Sequence, residues 1–262
     1  MAALFFDIDG TILDRNQRCL ESTMESLRKA RQSGHLLFIN TGRTACDIPK
    51  EFEEVPFDGY CCGCGTYIRY QNQVLFHSTI PSARGAEIAD YMIKQGIPGA
   101  LEGTEHIYFQ RADYNKNADL VEYRENIAQK NDGVVHTIEE PEIRYDKLMF
   151  CAEDAGICER FLKFLEPDIR AIDYGNGVYE CIQKAYSKAT AIQWLQDYLK
   201  LDREELYVFG DSVNDIDMFS YAKHTIAMGD HDRALDPLTE YVTDAVEREG
   251  IRKALEHYGL VV

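Results

Sequence analysis

Near its N-terminus the chain runs ALFFDI, an unbroken apolar stretch that passes at once into Asp9-Gly10-Thr11. A run this short and this apolar predicts a strand buried on both faces. From about Gln17 to Ser33 the apolar positions recur at helical spacing, and the pattern stops at Gly34, a residue suited to ending a helix. HLLFIN then repeats the buried-strand pattern and ends in Thr41-Gly42-Arg43. Strand, helix and strand in this order predict parallel pairing, and the right-handed crossover rule puts the second strand beside the first.

Beyond Asp58 the texture shifts to short strands and turns: YCCGCG, TYIRY and VLFHSTI, with Gln71-Asn72 as a hairpin turn and Pro81-Ser82 as punctuation. From about Arg84 to Gln183 helical segments (AEIADYMIKQ, NADLVEYRENIAQK, GICERFLKFL) mix with strands (HIYF, DKLMFCA, VYECIQ). The earlier rhythm then returns in SKATAIQWLQDYL, LYVFGD, VNDIDMFSYA and HTIAMG. The predicted class is therefore α/β, a Rossmann-like parallel-sheet core interrupted by an α+β insertion. Residues 1–82 and 184–262 form the expected core and residues 83–183 the lid-like insertion, both of ordinary domain size.

Composition narrows what such a molecule can do. With 262 residues, 45% hydrophobic and 28% charged, the chain has the makeup of a globular protein with a sizeable core. Its formal net charge of -17 argues against nucleic acid and anionic membrane as partners, because phosphate-backbone binding relies on basic surface. An anionic substrate must be drawn in locally, by a metal ion or a few basic side chains.

The eight cysteines are too sparse for a disulfide scaffold, and the N-terminus lacks the pattern of a signal peptide, so reduced thiols and a cytoplasmic location are expected. Cys61 and Cys64 have C-x-x-C spacing. A zinc site asks for a second such pair, and Cys151 and Cys158 have six residues between them, so the cluster is read as small residues at a strand end. A monomer or weak homo-oligomer is expected.

In an open parallel sheet, ligands bind beyond the carboxyl ends of the strands. The first strand delivers Asp7 and Asp9 there, the second Thr41 and Arg43, and LYVFGDSVND delivers Asp211, Asn214 and Asp215, while Lys188 stands at the start of the returning helix. Several carboxylates gathered together repel one another unless a hard cation shares them, and an all-oxygen donor set suits Mg²⁺ better than zinc. A hydroxyl and an ammonium beside them would supply the donors a phosphoryl group needs. A carboxylate can then act as nucleophile and split phosphoryl transfer to water into two steps.

DIDGT, the threonine ending the second strand, the lysine before the last core strands and GDSVND together resemble the four motifs of the haloacid dehalogenase superfamily of phosphatases. The large insertion between the second and third motifs, with AMGD, EYVTDAVEREGI and the DKLMF strand, is similar to the Cof-type branch and its type IIB cap. The resemblance implies that Asp7 is the nucleophile and that Asp9 is the general acid and base, its main-chain carbonyl also a metal ligand. It further implies that Thr41 and Lys188 hold phosphoryl oxygens, Asp211 binds Mg²⁺, Asp215 steadies the metal's shell, and Asn214 orients nucleophile or phosphate. Two departures stand out: Lys188-Ala189 where the family often has Lys-Gly, and Cys64-Gly65-Thr66 where it often has Asn-Gly-Ala.

Simpler roles exist for some of these residues. Thr41 could cap a helix, and Arg43 is open between substrate steering and a surface ion pair. Tyr108 and Phe109 are read as core of the insertion, and His77, His106 and His136 receive no role. The implied activity is a Mg²⁺-dependent phosphomonoester hydrolase acting on small phosphorylated metabolites, sugar phosphates first, pyridoxal phosphate or flavin mononucleotide behind. A phosphomutase shares the same acyl phosphate. A phosphoacceptor module like a receiver domain, or a non-enzymatic phosphometabolite-binding regulator, are alternatives of another class.

Overall fold

The computed structural model describes residues 1–55, 57–111, 117–131, 133–152, 154–175 and 177–261. In chain order the elements are β1 (Ala3–Phe6), α1 (Glu21–Gln32), β2 (Leu36–Asn40), β3 (Gly59–Cys62), β4 (Tyr67–Tyr70) and β5 (Gln73–His77). Next come α2 (Ser82–Gln95), β6 (Gly99–Glu102), β7 (Ile107–Phe109), α3 (Ala118–Lys130), β8 (Val135–Thr137), β9 (Lys147–Cys151), α4 (Ala155–Leu165), β10 (Ile169–Asp173) and β11 (Val178–Gln183). The chain closes with α5 (Lys188–Leu199), β12 (Leu206–Gly210), α6 (Ile216–Tyr221), β13 (His224–Ala227), β14 (Tyr241–Val242) and α7 (Gly250–His257). It divides into two compact units, residues 1–42, 50–76 and 186–262 in one and 43–49 and 77–185 in the other.

The first unit is built on an eight-stranded sheet in the order β14-β13-β12-β1-β2-β3-β4-β5, parallel from β14 to β3 and antiparallel between β3 and β4. Phe5 lies in register with Phe38 of β2 on one side and Val208 of β12 on the other, and its ring stacks on Phe38 at 4.8 Å. These residues pack with Ala191, Ile192 and Leu195 of α5 and Met218 of α6. Leu4 and Phe6, pointing the opposite way along the same strand, are equally buried. Burial on both faces explains why β1, β2 and β12 read as continuous apolar runs rather than alternating ones.

One element differs from expectation. α1 begins at Glu21 rather than at about Gln17. Residues 8–19 instead form a tight return, with bridges from Leu13 to Asp9 and to Cys19, and Gln17 in the left-handed region at φ 59°. The buried carboxylate of Asp14 accepts the N–H groups of Asn16 and Arg18, which competes with helix formation at the start of the stretch whose spacing looks helical.

The second unit has a six-stranded sheet in the order β10-β11-β9-β6-β7-β8, antiparallel apart from the β7–β8 pair. Leu148 and Phe150 of β9 pack against Met92 of α2 and Phe161 of α4, with Tyr108 in the same cluster, while Phe109 packs with Leu120 and Ile127 of α3. Two of the three histidines without an assigned role lie against each other, the rings of His106 and His136 4.1 Å apart and tilted by 47°, and His77 pairs with Asp146. The two ends of this unit are pinned together: Ser78 Oγ donates to Gln183 Oε1 at 3.1 Å and Gln183 Nε2 to the Ser78 carbonyl at 3.0 Å. Among the described residues no helix is long and apolar enough to cross a membrane.

Candidate active site

Three segments of the first unit bring their chemistry to one place. β1 carries Asp7 just past its last residue, β12 runs through Gly210 into Asp211, and α5 begins with Lys188. Lys188 is 1% exposed, and its ammonium meets Asp7 Oδ1 at 2.9 Å, Asp215 Oδ1 at 2.6 Å and Asn214 Oδ1 at 2.8 Å, one acceptor for each of its three protons. Burial alone would lower its pKa, but the charges of Asp215 and Asp7 outweigh that and raise it, so the side chain stays an ammonium.

Asp215 is fully buried and consumed by donors. Besides Lys188, its Oδ2 accepts the N–H groups of Asp211 and Ser212 at 2.9 and 3.0 Å. Ser212 and Asp215 form a reciprocal cap for the turn after β12. Ser212 Oγ also donates to Asn214 Oδ1 at 3.0 Å. Asp215 is thus the piece that shapes the 211–215 turn, which leaves Asp211 standing at its head.

Asp211 takes a hydrogen bond from Thr11 Oγ1 at 2.9 Å and is otherwise pressed against Gly10. A Cβ on Gly10 would lie 2.3 Å from Asp211 Oδ2, and Gly10 sits at φ 75°, so both space and backbone demand glycine there. One carboxylate oxygen from each of Asp7, Asp211 and Asp215 lies within 4.8 Å of those of the other two. Burial first, then Asp215 and Asp9 against the counteracting Lys188, pushes Asp7 up to about 7. Burial, then Asp7 and Asp215, pushes Asp211 up to about 8. Three acids around one ammonium leave a surplus of negative charge in a low-dielectric place, and an all-carboxylate donor set with that surplus fits a hard divalent cation. Asp7 and Asp211 are the side chains suited to hold it, since both oxygens of Asp215 already accept hydrogen bonds.

The other predicted residues fall as follows. Asp9 is outside the three-acid group; its Oδ1 accepts from Gln17 Nε2 at 2.9 Å. Thr41 is buried at the end of β2, its N–H donating to the Cys61 carbonyl and its own carbonyl accepting from Cys64 N–H at 3.0 Å. It caps no helix. Arg43 belongs to the second unit, where it pairs with Asp47 at 3.6 Å. Cys61 lies in the core with Phe5 and Phe38, and all eight cysteines are free thiols. Among the described residues no cysteine joins a group able to hold a metal.

Sequence reasoning passed over three contributors. Thr11 stands inside the DIDGT motif, but its partner Asp211 is 200 residues away. Ser212 was signalled by the S-x-x-D spacing that marks a capping box. Asn40 Nδ2 donates to the Lys188 carbonyl at 3.0 Å, tying β2 to the start of α5, and no local pattern announces it.

Comparison with known proteins identifies the family. The model of the haloacid dehalogenase-like hydrolase family matches residues 4–255. A phosphoglycolate phosphatase of Archaeoglobus fulgidus is 29% identical over 99% of this chain and 97% of its own. A 5-amino-6-(5-phospho-D-ribitylamino)uracil phosphatase of Bacillus subtilis, YitU, is 22% identical over 96% and 95%. The solved structure of the subclass IIB sugar phosphatase BT4131 superposes with a TM-score of 0.85 at 26% identity, covering both chains completely. The chain belongs to the haloacid dehalogenase-like hydrolase family and is an enzyme of its phosphoric monoester phosphatase class.

Proposed function

We propose that this enzyme is a Mg²⁺-dependent phosphatase of small phosphorylated metabolites, sugar and sugar-alcohol phosphates foremost, working through a phosphoryl group carried on Asp7. The observation that carries the reading is the set of Asp7, Asp211 and Asp215 around the buried Lys188 ammonium. The Asp7 carboxylate attacks phosphorus, and the bond to the leaving alkoxide breaks as Asp9 delivers its proton to that oxygen. Asp9 then takes a proton from water, whose oxygen attacks the aspartyl phosphate; inorganic phosphate leaves and the Asp7 carboxylate is restored. Lys188 and Thr41 hold phosphoryl oxygens, and Asn214, with Asp215, keeps the ammonium aimed. Mg²⁺, when bound to Asp7 and Asp211, supplies positive charge against that of the phosphoryl oxygens.

Substrate choice is assigned to the inserted unit, because every proposed catalytic group belongs to the other one. The relatives' named substrates range from phosphoglycolate to a ribityl phosphate and sugars, so a phosphate-release screen over such a panel is the direct test. Release is expected with Mg²⁺, none in excess EDTA, and recovery on adding the metal back. Full turnover in EDTA would remove the metal from the reading.

The raised carboxyls give a second, independent check. A folded-state pKa above the unfolded value means that the fold holds protons which the unfolded chain releases. In EDTA, the contribution of these two acids to stability should therefore be greatest at and below about pH 4 and be lost as the pH rises from there through about 7 to 8. Because Mg²⁺ binds the ionised forms, saturating metal should flatten that slope. Urea denaturation at several pH values with and without Mg²⁺ measures it, and parallel curves would show that these acids do not bind the ion.

The acid role of Asp9 separates substrates by leaving group. Asp9→Asn is expected to lower kcat/KM for alkyl phosphates by about 10²-fold or more, and by much less for aryl phosphates, whose leaving groups need little protonation. An equal loss on both classes would contradict proton delivery by this residue.

A further inference from the structure

We propose that Gln17 is a positioning residue for proton transfer: its side-chain amide holds the Asp9 carboxyl group, and the return spanning residues 8–19 exists to bring it there. The inference rests on the reading of Asp9 as the general acid and base. Gln17 Nε2 donates to Asp9 Oδ1 at 2.9 Å across eight residues.

The backbone around Gln17 is built with care. Leu13 bridges to Asp9 on one side and to Cys19 on the other, which folds the segment back along β1's continuation. Gly10 N–H donates to the Leu13 carbonyl at 2.9 Å. The Asp14 N–H donates to the Arg18 carbonyl at 3.0 Å and the Gln17 N–H to the Asp14 carbonyl at 2.9 Å. Asp14, buried, collects the Asn16 and Arg18 N–H groups on Oδ1 and the Arg18 guanidinium on Oδ2. Every bond in the turn fixes the position from which the Gln17 side chain departs.

Gln17 itself sits at φ 59°, in the left-handed region that costs a side-chain-bearing residue energy and that glycine or asparagine occupies more readily. If only the turn's shape mattered, glycine would serve better. A strained backbone at a residue whose side chain reaches a reacting group points to function rather than to packing, all the more because Gln17 is exposed and contributes nothing to the core. A carboxyl group that must give a proton in one step and take one in the next needs a fixed direction in both. An amide donor on one oxygen supplies it without adding charge.

The test compares kcat/KM for an alkyl phosphate, glycerol phosphate, with that for an aryl phosphate, 4-nitrophenyl phosphate, in the full chain with Mg²⁺. This ratio reports on steps up to departure of the leaving group. Gln17→Gly removes the amide and relieves the backbone, while Gln17→Glu keeps the length and removes the donor. Both are expected to lower the alkyl value about ten- to a hundredfold and the aryl value less than about threefold. The melting temperature of Gln17→Gly should equal or exceed the parent's. Added to Asp9→Asn, Gln17→Gly should cause no further loss. Equal losses on the two substrates, no loss, or full additivity with Asp9→Asn would overturn the inference while leaving the Asp9 reading intact. Should Asp9→Asn itself fail to discriminate between the substrates, both fall together. If Gln17→Gly does not fold, the Gln17→Glu comparison decides alone.

Discussion

Asp7→Asn should abolish turnover, with phosphate release falling by a factor on the order of 10⁴ or more, because the amide cannot form the acyl phosphate on which both proposed half-reactions depend. The fold should survive. Asn matches Asp in shape, and its carbonyl oxygen can still accept from the Lys188 ammonium, which retains Asp215 and Asn214. In EDTA the variant should be as stable as the parent or more so at neutral pH, since one desolvated charge beside Asp211 and Asp215 has been removed. Single-turnover experiments with labelled substrate should find no protein-bound phosphate. Near-parent hydrolysis by this variant would mean that the nucleophile is another group.

Lys188→Met should damage the protein twice. The ammonium is the only counter-charge that contacts Asp7 and Asp215 in the described structure, and it is itself almost inaccessible. Deleting one partner of a buried ionic cluster strands the others, at a cost of about 3–5 kcal/mol, whereas a surface lysine would cost almost nothing. The loss should be greatest at alkaline pH, where the stranded carboxyl groups are ionised, and shrink as acid protonates them. Urea denaturation of parent and variant at pH 5 and pH 8 in EDTA reads this directly. A difference below about 1 kcal/mol at pH 8 would show that the cluster is not held as described. Hydrolysis should fail as well, for want of the ammonium proposed to meet the phosphoryl oxygens.

What could be foreseen from the sequence divides along physical lines. β1, β2 and β12 were legible because burial on both faces writes itself as a continuous apolar run, and Asp7, Thr41 and Asp211 stand where such runs stop. The left-handed Cys64, whose N–H seats the Thr41 carbonyl, was not legible, because no residue type advertises that conformation except glycine and asparagine. The beginning of α1 was misjudged because periodicity counts apolar spacing and is blind to a buried aspartate that captures the backbone. Arg43 looked adjacent to Thr41 in sequence yet belongs with Asp47 in the other unit, since two residues suffice for a chain to leave one compact unit for another. Thr11 and Asn40 escaped for a different reason: each is defined by a partner more than a hundred residues away, at Asp211 and Lys188.

The pinned ends of the inserted unit bear on how the molecule comes to be made. The central strand of the large sheet, β1, pairs with β12, and Thr11 reaches across 200 residues to Asp211. Closing so long a loop from a disordered chain is slow. Ser78 and Gln183, however, lie 105 residues apart and are joined within the insertion, so that once the insertion has formed, the path between β1 and β12 is roughly halved. Halving a loop recovers only about 0.6 kcal/mol of closure entropy, too little to matter for final stability. The order of events on the ribosome is set by synthesis itself: the inserted unit is made whole before β12 emerges, and β12 then takes the edge of β1 that β2 does not cover.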